Sequence, residues 1–352
     1  MAAPQSGKLT LWLIDTRSLW PGSDIKEAAS NALALIPTQD RVNVQRKFQI
    51  ADARMSLASA LLKRFYISQT LQIPWSEVAV ARRGDPKHGK PAAPLPDGSF
   101  ANIDFNVSHQ GGLVTLIGWA PTEAVSAAEK ASEPPILVGT DITLVNERDD
   151  YRTIDTDGID GFIDIFSDVF SDAERWDMTY NVDYLTLLDG RIVPGTSIGR
   201  ADRVVKRGQD VTIKLANDNG PGEEMMIDSE LITEAKLRRF YAFFAFKEAY
   251  IKLAGEALLA PWLKELEFQN VRSPKPGSPA RCSTAGLWGE KVSDVEIIFK
   301  GTKVNDTQMD LRAYDEGFLI ASAVKGNASV KLEECQIEVL DVNSILEYAR
   351  TH

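Results

Sequence analysis

The chain has 352 residues, 44% of them hydrophobic and 25% charged, which is enough apolar material for one large core or two smaller ones and excludes a disordered tail or a fibrous repeat. Fifty acidic residues against 39 basic ones leave a formal charge of −11, which repels a phosphate backbone and argues against nucleic acid as a general partner. A polyanionic small molecule would have to be met by a few local cations.

The apolar run at residues 9–14 predicts a strand. It is too short for a secretory h-region, no basic segment precedes it, and no stretch reaches the roughly 18 apolar residues of a membrane span. A cytoplasmic protein is therefore expected. The sequons at Asn106, Asn305 and Asn327 are expected to stay unmodified, and Cys282 and Cys335, without metal-ligand spacing, to stay reduced. Residues 47–66 predict a helix, with Met55, Ala58, Leu61, Leu62 and Phe65 at helical spacing. Residues 78–81 form a short β-type run before a loop of turn formers that carries Arg82, Arg83, Lys87 and Lys90. Residues 105–112 pass from strand into loop and a strand follows at 113–119, then a polar linker over 120–135, then a buried strand at 136–142.

A helix is predicted over 161–176 and an insertion, with β-like pieces at 203–205 and 211–215, over 181–229. The strongest helical pattern runs from 233 to 254, with Leu237, Phe240, Phe244 and Ile251 as its apolar stripe and Gly255 as its C-terminal cap. Strand candidates at 266–271, 295–299, 308–313 and 318–324 complete the chain. Each half thus reads as a strand, a long helix and a set of antiparallel strands. This predicts an α+β protein of two related subdomains, residues 1–135 and 136–352, the second interrupted by the insertion.

Several residues could carry chemistry. Glu248 and Lys252 lie one turn apart on one helix face. An ordinary surface pair of this spacing stabilises by about 0.3–0.5 kcal/mol, but Phe244 one turn earlier makes the face apolar, and buried charges there need a further reason. Asp141, at the exit of a buried strand, suits a metal ligand or catalytic acid as well as a turn cap. Ser108-His109 could offer a hydroxyl, an imidazole and backbone amides to a phosphate, or simply close a turn. Phosphate-loop, dinucleotide-binding, zinc-protease and serine-hydrolase motifs are all missing from the sequence.

In order along the chain, Phe105-Asn106-Val107-Ser108-His109, Val138-Gly139-Thr140-Asp141 and Phe244-Ala245-Phe246-Lys247-Glu248-Ala249-Tyr250-Ile251-Lys252 resemble the signature motifs of the 4′-phosphopantetheinyl transferases, of the broad-range, two-subdomain type. Residues 55–59, Gly89-Lys90-Pro91 and residues 256–263 resemble the enzyme of filamentous fungi. The resemblance implies a monomeric, pseudo-twofold enzyme that moves the phosphopantetheine arm of coenzyme A to a serine of acyl or peptidyl carrier domains, releasing 3′,5′-ADP. It implies magnesium, with manganese as the alternative, held by Asp141 and Glu248. Glu248 would also serve or orient the base for the serine proton, and Lys252 would pair with the pyrophosphate. Gly89, Lys90 and Pro91 would hold the adenine and ribose-phosphate end with Arg82, Ser108 and His109 would contact phosphates, and Arg46, in the first long helix, would reach the 3′-phosphate. Two positions depart from the pattern: Thr143 stands where many bacterial relatives have a second acid, and Phe244 where a tryptophan is usual. Phe65, Trp75 and residues 258–263 are candidate contacts for the carrier. The rival readings are a non-catalytic coenzyme A or carrier-binding module and a metal-dependent pyrophosphatase.

Overall fold

Alternation in the first strand, β1 (Gly7–Asp15), sends Trp12 and Ile14 to one side and Leu11 and Leu13 to the other. Both sides are covered, so the whole run is apolar. In the computed structural model, residues 7–85, 89–123, 127, 136–146, 150–204, 206–215, 223–256, 260–280, 282–326 and 330–352 are described. Helix α1 (Ile50–Leu71) packs Leu57, Leu61, Leu62 and Tyr66 on the face that holds Trp12 and Ile14. The sheet is completed by β2 (Asp104–Gln110) and β3 (Leu113–Pro121), joined through Gly111 and Gly112. Both glycines have positive φ, as a tight two-residue hairpin requires.

The second half also begins with a strand and passes through helices to an antiparallel sheet. It runs from β4 (Leu137–Leu144) through α2 (Asp150–Asp164), α3 (Asp172–Tyr180) and the long α4 (Glu230–Ala254) to a second sheet. That sheet gains β5 (Trp288–Val292), β6 (Thr307–Tyr314) and β7 (Phe318–Lys325), in the order β5-β6-β7-β4, all neighbours antiparallel. The chain then returns to the first half: β8 (Ile337–Val339) pairs parallel with β1, and α5 (Val342–Thr351) buries Val342, Ile345 and Leu346 in the core beneath α1. The first sheet thus has the order β8-β1-β3-β2. Residues 337–351 therefore sit with the first half, across the boundary expected at 135/136, because β1 has an open edge that only a late strand fills.

The two sheets meet through their inner faces. Leu11, Ile117 and Trp119 pack on Val138 and Val324, and Leu13 and Leu113 pack on Ile142, Phe318 and Ile320. Helix α1 covers one outer face and α4 the other. The predicted strands at 9–14, 113–119 and 136–142 are all present, and the segment 105–112 opens as a strand that runs to Gln110. The predicted helix over 161–176 is instead two helices, because Ser171 starts a new one with a capping box to Glu174. At 78–81 a 3₁₀ turn, Trp75–Glu77, precedes a strand that covers only Ala81–Arg83. The 181–229 insertion holds two hairpins around its own core of Leu185, Val193, Ile213 and Ile227, seated on Leu231 and Ile232 at the start of α4. Residues 201–204 there are 3₁₀, not strand. The 120–135 linker lies largely outside the described residues, as do Lys87, His88, Leu258 and Leu259.

Candidate functional site

Strands β2 and β4 run side by side where the two sheets join, and side chains of β2 take the place of ladder hydrogen bonds. The Val138 amide donates to Asp104 Oδ2 at 2.8 Å, and the Ile142 amide donates to Ser108 Oγ at 3.3 Å. Buried edge amides must be satisfied by something, and here one acid and one hydroxyl, four residues apart on β2, do it. Ser108 Oγ in turn donates to Asp141 Oδ1 at 2.9 Å.

Helix α4 brings the third partner. A Cβ at Gly139 would lie 2.2 Å from the Ala249 carbonyl oxygen and 2.5 Å from the Leu253 nitrogen, so the missing side chain is what lets the helix backbone approach β4. Lys252 then reaches across: its Nζ donates to Asp141 Oδ1 at 2.5 Å and to Ser108 Oγ at 2.8 Å. Asp141 is 6% exposed and Lys252 26%, so the cluster is sheltered but open on the lysine side. The residues predicted as Ser108, Asp141 and Lys252 are thus brought together from three elements and both halves. Glu248, one turn before Lys252 on the same face, is half-buried. Lys247 points the other way, to Glu174 at 3.0 Å and to the carbonyls of Leu263, at 2.9 Å, and Leu266.

His109 follows Ser108 at the exposed end of β2. Desolvation by the surrounding protein, and then the charges of Lys252, Lys47 and Lys63, hold its pKa below the ordinary histidine value. Lys63 is itself pushed down by burial, with Arg82 adding to the effect and Asp40 opposing it. An acidic chain therefore gathers cations at this one place. Lys47 and Lys63 had not been singled out from the sequence: Lys63 sits amid the apolar pattern of α1, and only the fold shows which way it turns.

Other predicted residues fall elsewhere. Arg46 is exposed and ends the short helix Thr38–Gln45, before α1 and not within it. Arg82 donates to the Gly89 carbonyl at 2.7 Å, closing the loop on itself. Gly89 is needed there, since a Cβ would meet the Arg83 carbonyl oxygen at 2.0 Å. Pro91 is half-buried in the strand Lys90–Ala92, which pairs with Ala81–Arg83. Lys90 departs most from expectation. Its ammonium is buried, ion-paired to Asp104 and bonded to the carbonyls of Val138 at 2.8 Å and Leu253 at 3.4 Å, so its three donors point inward and not to a ligand phosphate. Phe65, Trp75 and Leu263 are core residues, not carrier contacts. Thr143 is buried, its hydroxyl donating to the Leu319 carbonyl at 3.4 Å. Phe244 stacks among Phe166, Phe240 and Tyr241, which keeps an aromatic at the start of the motif.

Among the described residues, no set of three His, Cys, Asp or Glu side chains could hold a metal ion. Asp141 and Glu248 are hard oxygen donors, which fit a magnesium ion that takes its remaining ligands from water and substrate. No helix among the described residues is long and apolar enough to cross a membrane.

Comparison with known proteins converges on one group. A family profile described as "4'-phosphopantetheinyl transferase, N-terminal" matches residues 20–120. A 4'-phosphopantetheinyl transferase of Aureobasidium melanogenum is 64% identical over 318 residues, covering 90% of this chain and 91% of that one. The 4'-phosphopantetheinyl transferase A of Aspergillus fumigatus is 34% identical over 342 residues, covering 90% and 83%. An L-aminoadipate-semialdehyde dehydrogenase-phosphopantetheinyl transferase of Schizosaccharomyces pombe is 32% identical over 131 residues, covering 37% and 46%.

Proposed function

The chain belongs to the 4′-phosphopantetheinyl transferase family, and from that premise we propose that it transfers the phosphopantetheine arm of coenzyme A to a serine of acyl and peptidyl carrier domains, with 3′,5′-ADP as the second product. The observation that carries this reading to particular residues is the meeting of Ser108, Asp141 and Lys252 at the junction of the two halves. Relatives named for the aminoadipate-semialdehyde enzyme extend the carrier range to reductases of that type.

In the reaction a carrier serine oxygen forms a bond to the β-phosphorus of coenzyme A, and the bond from that phosphorus to the bridging oxygen of 3′,5′-ADP breaks. The serine proton passes to Glu248, directly or through a water. Lys252 faces the diphosphate and offsets charge that grows on the leaving oxygen, an effect that strengthens in a sheltered site. Ser108 orients the Asp141 carboxylate and can turn its hydroxyl to a phosphate oxygen, while His109, Lys47 and Lys63 supply the cationic ground on which a polyphosphate settles. Asp141 and Glu248 would hold magnesium, with manganese as the alternative, and the ion would neutralise the diphosphate. Thr143 brings no carboxylate, which leaves the third protein position to water.

The shared strand–helix–hairpin order of the two halves supports a pseudo-twofold design, with coenzyme A in the groove between them. The divide is drawn at 135/136, with residues 337–351 returned to the first half. Both cysteines are free, in keeping with a reducing, cytoplasmic setting. The test is to mix the protein with coenzyme A, magnesium and an apo carrier domain and to weigh the carrier. A gain of one phosphopantetheine is expected. An unchanged carrier mass favours a binding module, and coenzyme A consumed without a carrier favours a pyrophosphatase.

A further inference from the structure

The Lys252 cluster has a counterpart one step down the same junction. At the upper position, Ser108 of β2 receives the Ile142 amide of β4, and Lys252 of α4 bonds both Ser108 and Asp141. At the lower position, Asp104 of β2 receives the Val138 amide of β4, and Lys90 bonds Asp104, the Val138 carbonyl and the Leu253 carbonyl of α4. The two positions lie four residues apart on each strand, about 13 Å at the usual rise. Asp104 is 1% exposed and Lys90 9%, so this brace is dry. The aliphatic stem of Lys90 also lies against the helix end: a Cβ at Gly255, the left-handed cap of α4, would sit 3.2 Å from Lys90 Cγ.

One anchor of Lys90, Leu253, adjoins a residue of the site, and the other two lie lower on the strands that carry Asp141 and Ser108. Leu253 follows Lys252, Val138 precedes Asp141 by three, and Asp104 precedes Ser108 by four. Nearly two turns earlier, on another side of the helix, Lys247 bonds the carbonyls of Leu263 and Leu266 and pairs with Glu174. The stretch from Lys247 to Leu253 is thus held between two interior ammonium groups, with Glu248 and Lys252 between them.

We propose that Lys90 and Asp104 are positioning residues for the transfer: their buried pair sets the distance between the end of α4 and the β2–β4 junction, and so places Lys252 and Glu248 against Asp141 and Ser108. This rests on the functional reading above and deepens it, since it gives the Gly89-Lys90-Pro91 loop a mechanical role beside any contact its backbone makes with the cofactor. Filling that loop and placing the catalytic turn are joined through one side chain.

The test uses the full-length double variant Lys90→Met, Asp104→Asn, which removes both charges of the pair, fills the lysine channel and keeps an acceptor for the Val138 amide and for Arg83, whose Nη1 lies 3.7 Å from Asp104 Oδ1. Binding of coenzyme A and of 3′-dephospho-coenzyme A is measured by calorimetry, turnover is measured with both and a saturating carrier, and amide hydrogen exchange is followed along α4. Coenzyme A affinity is expected to stay within about threefold. Turnover should fall about 30-fold or more by the same factor for both cofactors, as an ångström-scale displacement would cause. Amides of residues 250–256 should lose protection while residues 237–246 keep theirs. Unchanged turnover and exchange would overturn the proposal. So would an affinity loss seen with coenzyme A and not with its dephospho form, which would make Lys90 a phosphate ligand after all. If the double variant does not fold, Asp104→Asn alone carries the same measurements, because an asparagine oxygen can still receive Lys90 or the Val138 amide. A wild-type protein that loads no carrier would sink the functional reading, and the exchange data would still decide whether the brace holds the helix end.

Discussion

On the proposed mechanism the chemistry turns on Glu248. Replacing it by glutamine keeps its volume and its place on α4 but removes the proposed base, so turnover should fall about 10²–10⁴-fold while coenzyme A still binds in a calorimeter. Near-normal turnover would remove Glu248 from its role. His109 gives a prediction with a sign. In the free protein its pKa lies below the ordinary value, through desolvation first and then Lys252, Lys47 and Lys63, so the imidazole is neutral at neutral pH. A bound phosphate dianion beside it favours the charged form and raises that pKa. Coenzyme A binding should then take up protons and tighten as pH falls from 7.5 toward 6, read as a dependence of binding heat on buffer ionisation. In His109→Ala the part of this uptake due to the imidazole should vanish. The meeting of Asp141 and Lys252 was legible in the sequence because charged residues stood where burial was expected. The inward turn of Lys90 was not. A loop of turn formers looks the same whichever way its lysine points, and the Leu253 carbonyl that receives it is 163 positions away.

At the scale of elements, the approach of α4 to β4 decides how well the site is assembled. Gly139→Ala adds one methyl group against the Ala249 carbonyl and the Leu253 amide, and the helix must move to admit it. Overpacking of this kind costs about 1–3 kcal/mol, and a shift near 1 Å costs about 10²-fold in rate. Turnover should therefore drop further than the loss of stability in a urea melt would suggest; equal turnover with equal stability would show that the helix has slack. The strands and the long helices were readable because their apolar spacing follows one period for many residues. The break between α2 and α3 was not, since residues 165–171 continue an apolar pattern and the restart is marked only by the capping box of Ser171 and Glu174. Nor was it evident that the insertion builds a core of its own, as its strands are only three to six residues long.

Across the whole molecule, the return of β8 and α5 to the first half ties the beginning of the fold to its end. Leu11, Trp12 and Leu13 pair with Ile337, Glu338 and Val339, Trp12 Nε1 donates to Glu338 at 3.2 Å, and the Trp75 amide donates to the His352 carbonyl at 3.2 Å. A variant that stops after Cys335 loses the burial of Val342, Ile345 and Leu346, on the order of 5 kcal/mol for three aliphatic side chains. That is comparable with the whole stability of a typical domain, so the shortened protein should unfold at much lower urea, and a melt like the wild type would refute the packing. A pairing between strands more than 300 residues apart leaves no local mark in the sequence. It does leave one in the order of events during synthesis. While a ribosome is still translating the middle of this message, the emerged amino-terminal half has α1 and three strands but a bare β1 edge and an uncapped apolar floor. It must wait, exposed, until residues 337–351 have been made, and in that interval chaperones have the most to do.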